Sequence, residues 1–429
     1  MSAEPSQTPA APGAGPLCAA DVEAAAKRIA PVVTPTPLQY CERLSAATGA
    51  RVYLKREDLQ TVRSYKLRGA YNLLVQLSDE EVAAGVVCSS AGNHAQGFAY
   101  ACRSLGIQGR VYVPAKTPKQ KKDRIRYHGG EFIELIVGGS TYDLAAAAAL
   151  EDVARTGATL VPPYDDVRTI AGQGTIAVEV LDQLDTEPDL VVVPVGGGGC
   201  IAGVTTYLAE RTANTAVLGV EPAGAAAMMA ALAAGGPVTL DHVDQFVDGA
   251  AVNRAGTLTY AALAAAGDMV SIISVDEGAV CTAMLDLYQH EGIIAEPAGA
   301  LSVAGLLEAD IEPGSTVVCL ISGGNNDVSR YGEVLERSLV HLGLKHYFLV
   351  DFPQEPGALR RFLDEVLGPN DDITLFEYVK RNNRETGEAL VGIELGSAAD
   401  IDGLLARMRG TGLHIEVLEP GSPAYRYLL

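Results

Sequence analysis

Leu190-Val191-Val192-Val193-Pro194-Val195-Gly196-Gly197-Gly198-Gly199 is the stretch on which the fold turns. Residues 190–195 are continuously apolar, the pattern of a strand buried on both faces of a parallel sheet. A helical pattern follows over 202–211. Four glycines wedged between a buried strand and a helix are poor linker material. Without side chains they let the backbone approach an anion, and the helix N-terminus behind them offers free N–H groups and a favourable dipole. The spacing is neither GxGxxG nor a Walker A loop, which weakens dinucleotide and nucleoside triphosphate readings.

The same strand–turn–helix unit repeats outward from this point. Upstream, strands over 86–89, 110–113 and 132–137 alternate with helices over 93–105, 119–127 and 142–155. Around the glycines, helices over 176–184, 202–211 and 225–234 alternate with strands over 190–195 and 216–220, and a last buried strand is expected over 317–321. This spacing implies parallel sheets with crossover helices. It gives an α/β catalytic region in two lobes, the smaller over about 60–160. The folded chain is expected to begin near residue 17, with a helix to residue 29 capped by Asp21, then a strand over 51–55. Residues 1–16, rich in Ala, Pro, Ser and Gly, read as a disordered tail.

Composition shifts after Asp327. A charged helix and connector over 328–344 lead to strand 347–352, helix 358–367, strands 373–380 and 389–395, helix 401–409 and strand 414–418. That βαββαβ order is the ferredoxin-like unit, a separate small domain over 345–429. The expected division is therefore a catalytic domain over 17–335 and a C-terminal domain over 345–429.

The 429 residues fit two or three domains, and 48% of them are hydrophobic. A net charge of -21 argues against nucleic acid or an anionic membrane as partner. Cys18, Cys41, Cys88, Cys102, Cys200, Cys281 and Cys319 are scattered, odd in number and free of CxxC pairs. They suit reduced thiols in a cytoplasmic protein rather than a disulfide or zinc framework. The histidines have no metal-ligand spacing, so no metal site is expected.

Two further small-residue turns follow buried strands. Ser89-Ser90-Ala91-Gly92-Asn93 presents N–H groups suited to a carboxylate, or else caps a helix through Ser90 or Asn93. Ser322-Gly323-Gly324-Asn325-Asn326 closes the strand over 317–321. Ligands of open α/β sheets bind at the carboxyl ends of strands. Three such turns and one lysine, Lys66 in Ser64-Tyr65-Lys66-Leu67-Arg68-Gly69-Ala70, point to a single anionic ligand between the lobes.

These motifs, with Glu296-Pro297-Ala298-Gly299 and in this order, resemble the pyridoxal-phosphate enzymes of the tryptophan-synthase β fold (fold type II). Among them the threonine dehydratases, or threonine ammonia-lyases, match most closely. The C-terminal unit resembles the ACT-like regulatory domain of the biosynthetic members, including Pro356-Gly357-Ala358-Leu359 and the closing Ser422-Pro423-Ala424-Tyr425-Arg426.

The resemblance implies pyridoxal 5'-phosphate as cofactor, with Lys66 as its Schiff-base lysine and the base for the substrate α-proton. It implies Asn93 on the cofactor's phenolic oxygen, Gly196, Gly197, Gly198, Gly199 and the Cys200 amide on its phosphate, and Ser322 on the ring nitrogen. Ser89, Ser90, Ala91, Gly92 and Asn93 would hold the substrate carboxylate. The implied reaction is β-elimination of L-threonine, and of L-serine, with the cofactor phosphate protonating the leaving hydroxyl. It gives 2-oxobutanoate and ammonia from threonine, the first step of isoleucine biosynthesis. Related racemases carry a serine where this chain has Ala91, which counts against racemisation. Metal-dependent relatives add acidic ligands after the pair corresponding to Glu221-Pro222, and residues 224–228 supply none. An isoleucine effector, opposed by valine, is implied near Gly357, Phe376 and Tyr378. With only one ACT-like unit per chain, pairing across a homo-oligomer is expected, a tetramer in preference to a dimer.

Overall fold

The computed structural model describes residues 17–378, 385–420, 422, 424 and 425. The expected tail over 1–16, the end of the strand expected over 373–380, and Pro423 and Arg426 lie outside them.

Along the chain come β1 (Leu38–Tyr40), β2 (Arg51–Arg56), β3 (Val86–Ser89), β4 (Gly109–Val113), β5 (Ile133–Val137) and β6 (Thr159–Leu160). β7 (Leu190–Pro194), β8 (Ala216–Pro222), β9 (Val270–Val275) and β10 (Thr316–Ile321) follow. They form two sheets, ordered β5-β4-β3-β6 and β1-β2-β10-β7-β8-β9. Only β1–β2 pairs antiparallel; the other ladders of these sheets are parallel.

β10 lies between β2 and β7 and is buried at every position, which is why its sequence is apolar from Val317 to Ile321. On the larger sheet Val191, Val193, Val318 and Leu320 pack with Ile176, Val180, Ile201 and Val204 from helices. The smaller sheet buries Val86, Cys88, Val111 and Val113 with Leu67, Leu73 and Phe98. Each buried Val or Leu contributes roughly 1.5–3 kcal/mol.

Three helices begin earlier than the sequence pattern suggests, which puts them over 70–77, 202–211 and 176–184. The helix bearing Lys66 spans Lys66–Leu74, so the lysine is its first residue. The helix after the glycines starts at Gly199. The helix expected over 176–184 spans Val167–Gln183 and is capped by Asp166, whose side chain accepts the Arg168 N–H. Gly172 and Gly174 look like helix breakers in sequence, but they serve helix crossing. A Cβ on Gly172 would lie 2.6 Å from the Arg68 carbonyl, and one on Gly174 2.6 Å from the Gly203 carbonyl. The first helix spans Ala19–Ile29 with Cys18 as N-cap, and Asp21 acts from the third helical position by accepting the Cys18 N–H.

The described chain separates into two compact units, one holding the described residues up to 276 and 292–326, the other 277–291 and the described residues from 327 on. The second contains β11 (Lys345–Pro353), β12 (Asp372–Tyr378), β13 (Thr386–Glu394) and β14 (Ile415–Leu418) in an antiparallel sheet ordered β12-β13-β11-β14. Phe348, Val350 and Phe352 of β11 pack with Phe362 and Val366 of helix Ala358–Val366 and Leu404 and Met408 of helix Ile401–Gly410. Helix Glu277–Glu291 belongs to this unit, where Thr282 hydrogen-bonds Ser338 of helix Tyr331–His341 at 2.9 Å.

Candidate active site

The four glycines form the turn from β7 into helix Gly199–Arg211, and each has a physical reason to lack a side chain. A Cβ would lie 2.9 Å from the Ala250 backbone at Gly196, 2.3 Å from the Tyr164 ring at Gly197 and 2.8 Å from Tyr164 at Gly199. Gly198 has φ +92°, a left-handed conformation that favours glycine. Thr259 ties the turn down by donating its hydroxyl to the Gly197 carbonyl at 2.7 Å. Asp165, beside Tyr164, accepts the Thr257 and Leu258 N–H groups. The cradle is a knot of three loops. The helix offers its N-terminal N–H groups there without a side-chain cap. Cys200 is buried, and burial pushes its thiol up to about 12, so it stays neutral.

Lys66 begins its helix beside a strained turn. Arg63 adopts φ 57°, unusual for a residue with a side chain, and its carbonyl accepts the Gly324 N–H. The start of the Lys66 helix is crossed by helix Asn93–Leu105 at Gly97, where a Cβ would meet the Leu67 nitrogen at 2.9 Å. The Lys66 amine donates to the Pro163 carbonyl at 3.0 Å. Burial lowers its pKa to about 8, an effect that Cys200 and Glu296 only partly offset.

Tyr65, Lys66, Asn93, Gly196, Glu296 and Ser322 line one cavity. Asn93 is the first residue of its helix; the N-cap is Gly92, and neither Ser90 nor Asn93 caps it. The Asn93 amide donates to Glu296 Oε1 at 2.5 Å, and its oxygen accepts from Asn325 at 2.8 Å. Ser89, Ser90, Ala91 and Gly92 lead from β3 up to Asn93, with Ser90 Oγ accepting the Gly92 N–H. Ser322 is buried, and its hydroxyl donates to the Ala298 carbonyl at 3.2 Å. His94, behind Asn93, bonds the Val161 carbonyl through Nε2, and burial lowers its pKa to about 3. It is a neutral core histidine.

Residues 29–323 match the family model described as pyridoxal-phosphate dependent enzyme, and residues 336–428 match that of the C-terminal regulatory domain of threonine dehydratase. The chain is 90% identical over 429 residues to the biosynthetic L-threonine dehydratase of Mycobacterium tuberculosis, covering 100% of both. It is 62% identical over 421 residues to that of Corynebacterium glutamicum, covering 97% of each. The chain belongs to the biosynthetic threonine dehydratases. Among solved structures, the processed form of threonine deaminase isoform 2 from Solanum lycopersicum superposes with a TM-score of 0.69 at 38% identity, covering 74% of this chain and 92% of that one.

The family's pyridoxal phosphate fits the residues present. The glycine turn has no room for side chains on its packed faces and presents a bare helix N-terminus, as a phosphate group requires. One amine with a depressed pKa and the neutral hydroxyls of Tyr65 and Ser322 share the cavity with it.

Sequence reasoning assigned no role to Glu296, Pro163, Tyr164, Asp165 or Thr259. Only the Glu296-Pro297 pair carried a local signal, an acid before a Pro-initiated helix. The dehydratase's regulatory unit places Phe376 and Tyr378 on β12, with ring centroids 5.9 and 6.2 Å from Phe352. Gly357, at φ +89°, is the N-cap of helix Ala358–Val366.

Proposed function

We propose that the chain deaminates L-threonine, and L-serine, by β-elimination to the 2-oxo acid and ammonia, with Lys66 as both cofactor lysine and α-proton base. The observation that carries this is the Lys66 amine in one cavity with Asn93, Gly196 and Ser322. With a pKa of about 8, an appreciable fraction of Lys66 is unprotonated near neutral pH and able to attack a carbonyl or take a proton. Pyridoxal phosphate, when bound, supplies the aldehyde that captures the substrate amine and a ring that draws electron density from its α-carbon.

The chain's own residues do the rest. Gly196 to Gly199 and the Cys200 amide hold the phosphate, Asn93 the phenolic oxygen, and Ser322, its hydroxyl turned from the Ala298 carbonyl, the ring nitrogen without charging it. Ser89 to Asn93 hold the substrate carboxylate and so orient the α-hydrogen toward Lys66. Ala91 brings no acid or base to the opposite side, which favours elimination over racemisation.

In this reading residues 17–335 form the catalytic domain and 345–429 an ACT-like domain. That domain binds isoleucine near Gly357, Phe376 and Tyr378, with valine opposing it, within a cytoplasmic homotetramer. The φ of Gly357 and the aromatic cluster on Phe352 support placing the effector there. The test is 2-oxo-acid formation from threonine and from serine, with and without isoleucine. Ammonia release from threonine that isoleucine inhibits is expected. No release from threonine alone overturns the reaction, and an unchanged rate in isoleucine overturns the regulation.

A further inference from the structure

Glu296 is an acidic N-cap residue that does not cap. It precedes helix Pro297–Glu308, yet its side chain accepts no hydrogen bond from that helix. The carboxyl instead turns to Asn93 and lies only 5% exposed. Room for it is made by Gly323, where a Cβ would lie 2.3 Å from Oε1.

The hydrogen bonds around it allow one polarity. Asn325 Nδ2 donates both to the Val62 carbonyl and to Asn93 Oδ1, each at 2.8 Å. Flipping the Asn325 amide would set oxygen against the Val62 carbonyl, so Asn93 must present its oxygen to Asn325. Asn93 Nδ2 then faces Glu296, which must accept. One hydrogen of that amide group is left for the cavity.

We propose that Glu296 is a positioning residue for the deamination: it locks Asn93 as a donor toward the cavity, and its proton sets the pH at which the Lys66 end of the site works. This rests on the function proposed above. Ionised, Glu296 accepts strongly from Asn93 and favours a charged Lys66. Protonated, it still accepts from Asn93, but more weakly, and no longer favours a charged Lys66.

The charged groups facing it come from three elements. Burial above all, and then Asp248 on the loop before Gly249, raise its pKa, whereas the Asn93 amide, Lys121 and the Asn325 N–H lower it, leaving it at about 7. Arg124 lies on the same helix as Lys121, which pairs with Asp248. Lys66 and Tyr65 face it from the start of their helix.

The test is a pH titration of the holoenzyme's visible cofactor band, with kcat and KM for threonine read across the same range. The wild type is expected to show a one-proton transition near pH 7. Glu296→Gln keeps an acceptor for Asn93 but cannot ionise, so the transition and the matching limb of the kcat profile are expected to disappear while KM stays. A transition unchanged in Glu296→Gln overturns the proposal, as does a wild type with none. Should that variant fail to fold, Asp248→Asn on the partly exposed rim removes a like charge and is expected to move the transition to lower pH. An unmoved transition there also overturns it. A wild type that titrates but releases no 2-oxobutanoate from threonine overturns the proposed function instead.

Discussion

Lys66 and Arg68 sit two residues apart on one helix, and their surroundings are opposites. Arg68 is fully buried, with Nε and Nη2 donating to the two oxygens of Glu57 at 2.8 and 2.7 Å, and Nη1 to Glu179 at 2.7 Å. Lys55 completes the cluster on the other Glu179 oxygen at 2.6 Å. Two cations meet two carboxylates. Burial opposes the charge on Arg68, but Glu57 and Glu179 overcome it and raise its pKa. Lys66 donates to the Pro163 carbonyl and has no carboxylate bonded to it among the described residues, and there burial wins over Cys200 and Glu296. Burial pushes all three cations down; two carboxylates reverse the direction for Arg68, whereas for Lys55, which shares only Glu179, burial still wins. The paired side anchors the helix, and the unpaired side is left available for chemistry.

Removing each cation separates these roles. Lys66→Ala is expected to lower 2-oxobutanoate formation from threonine by more than about 10⁴-fold and to abolish the visible cofactor band. With one hydrogen bond lost, unfolding free energy should change by only about 1 kcal/mol. A retained band would show that another amine holds the cofactor. Arg68→Met inverts the pattern, because it leaves Glu57 buried without its cation. Denaturant unfolding should show a loss of about 3–5 kcal/mol. A loss below about 1 kcal/mol would mean that the cluster is not an anchor.

Glu221 asks whether a perturbed pKa marks function at all. It is fully buried at the end of β8, and burial raises it to about 7 despite the Met228 and Met229 N–H groups it accepts. Glu296 carries the same shift inside the cavity. A carboxyl raised from 4.5 to about 7 binds more proton folded than unfolded across that window. Its contribution is therefore complete below about pH 4.5 and is lost as pH rises through 7, by roughly 3 kcal/mol in all. Glu221→Gln should remove that part of the decline, seen as a smaller gap between unfolding free energies at pH 5 and pH 8. The pH profile for threonine should not move. A changed profile would place Glu221 in the chemistry.

The features that could be read from sequence were those written locally. Residues 190–195 and 317–321 announce buried strands by continuous apolar character, and a run of glycines marks a close approach of backbone. What stayed hidden depends on partners far along the chain. Nothing near Arg68 reveals Glu179, more than 100 residues away. Nothing near the glycines reveals that Tyr164 packs on them. Helix Glu277–Glu291 joins the C-terminal unit by packing, which a composition shift at Asp327 cannot show. Glu296 was visible as a residue before a proline but not as the partner of Asn93, because side-chain direction is set by the fold.

Cys200 gives the smallest effect and the finest test of the contrast between anchoring and chemistry. Its thiol is buried among the apolar side chains that join helix Gly199–Arg211 to the larger sheet, and its pKa of about 12 keeps it protonated. In the proposed reading only its backbone N–H, in the first turn of that helix, holds the phosphate. Cys200→Ala keeps that N–H and removes one buried sulfur, so the cost is that of a small cavity, about 1 kcal/mol. Affinity for pyridoxal phosphate and kcat for threonine should stay within about twofold, since a twofold change is well under 1 kcal/mol. Spectroscopic titration of the apoenzyme with the cofactor reads the first, and 2-oxobutanoate formation the second. A tenfold loss of cofactor affinity without further loss of stability would give the thiol itself a role at the cradle, and side chain as well as backbone would then belong to the unpaired, working side of the molecule.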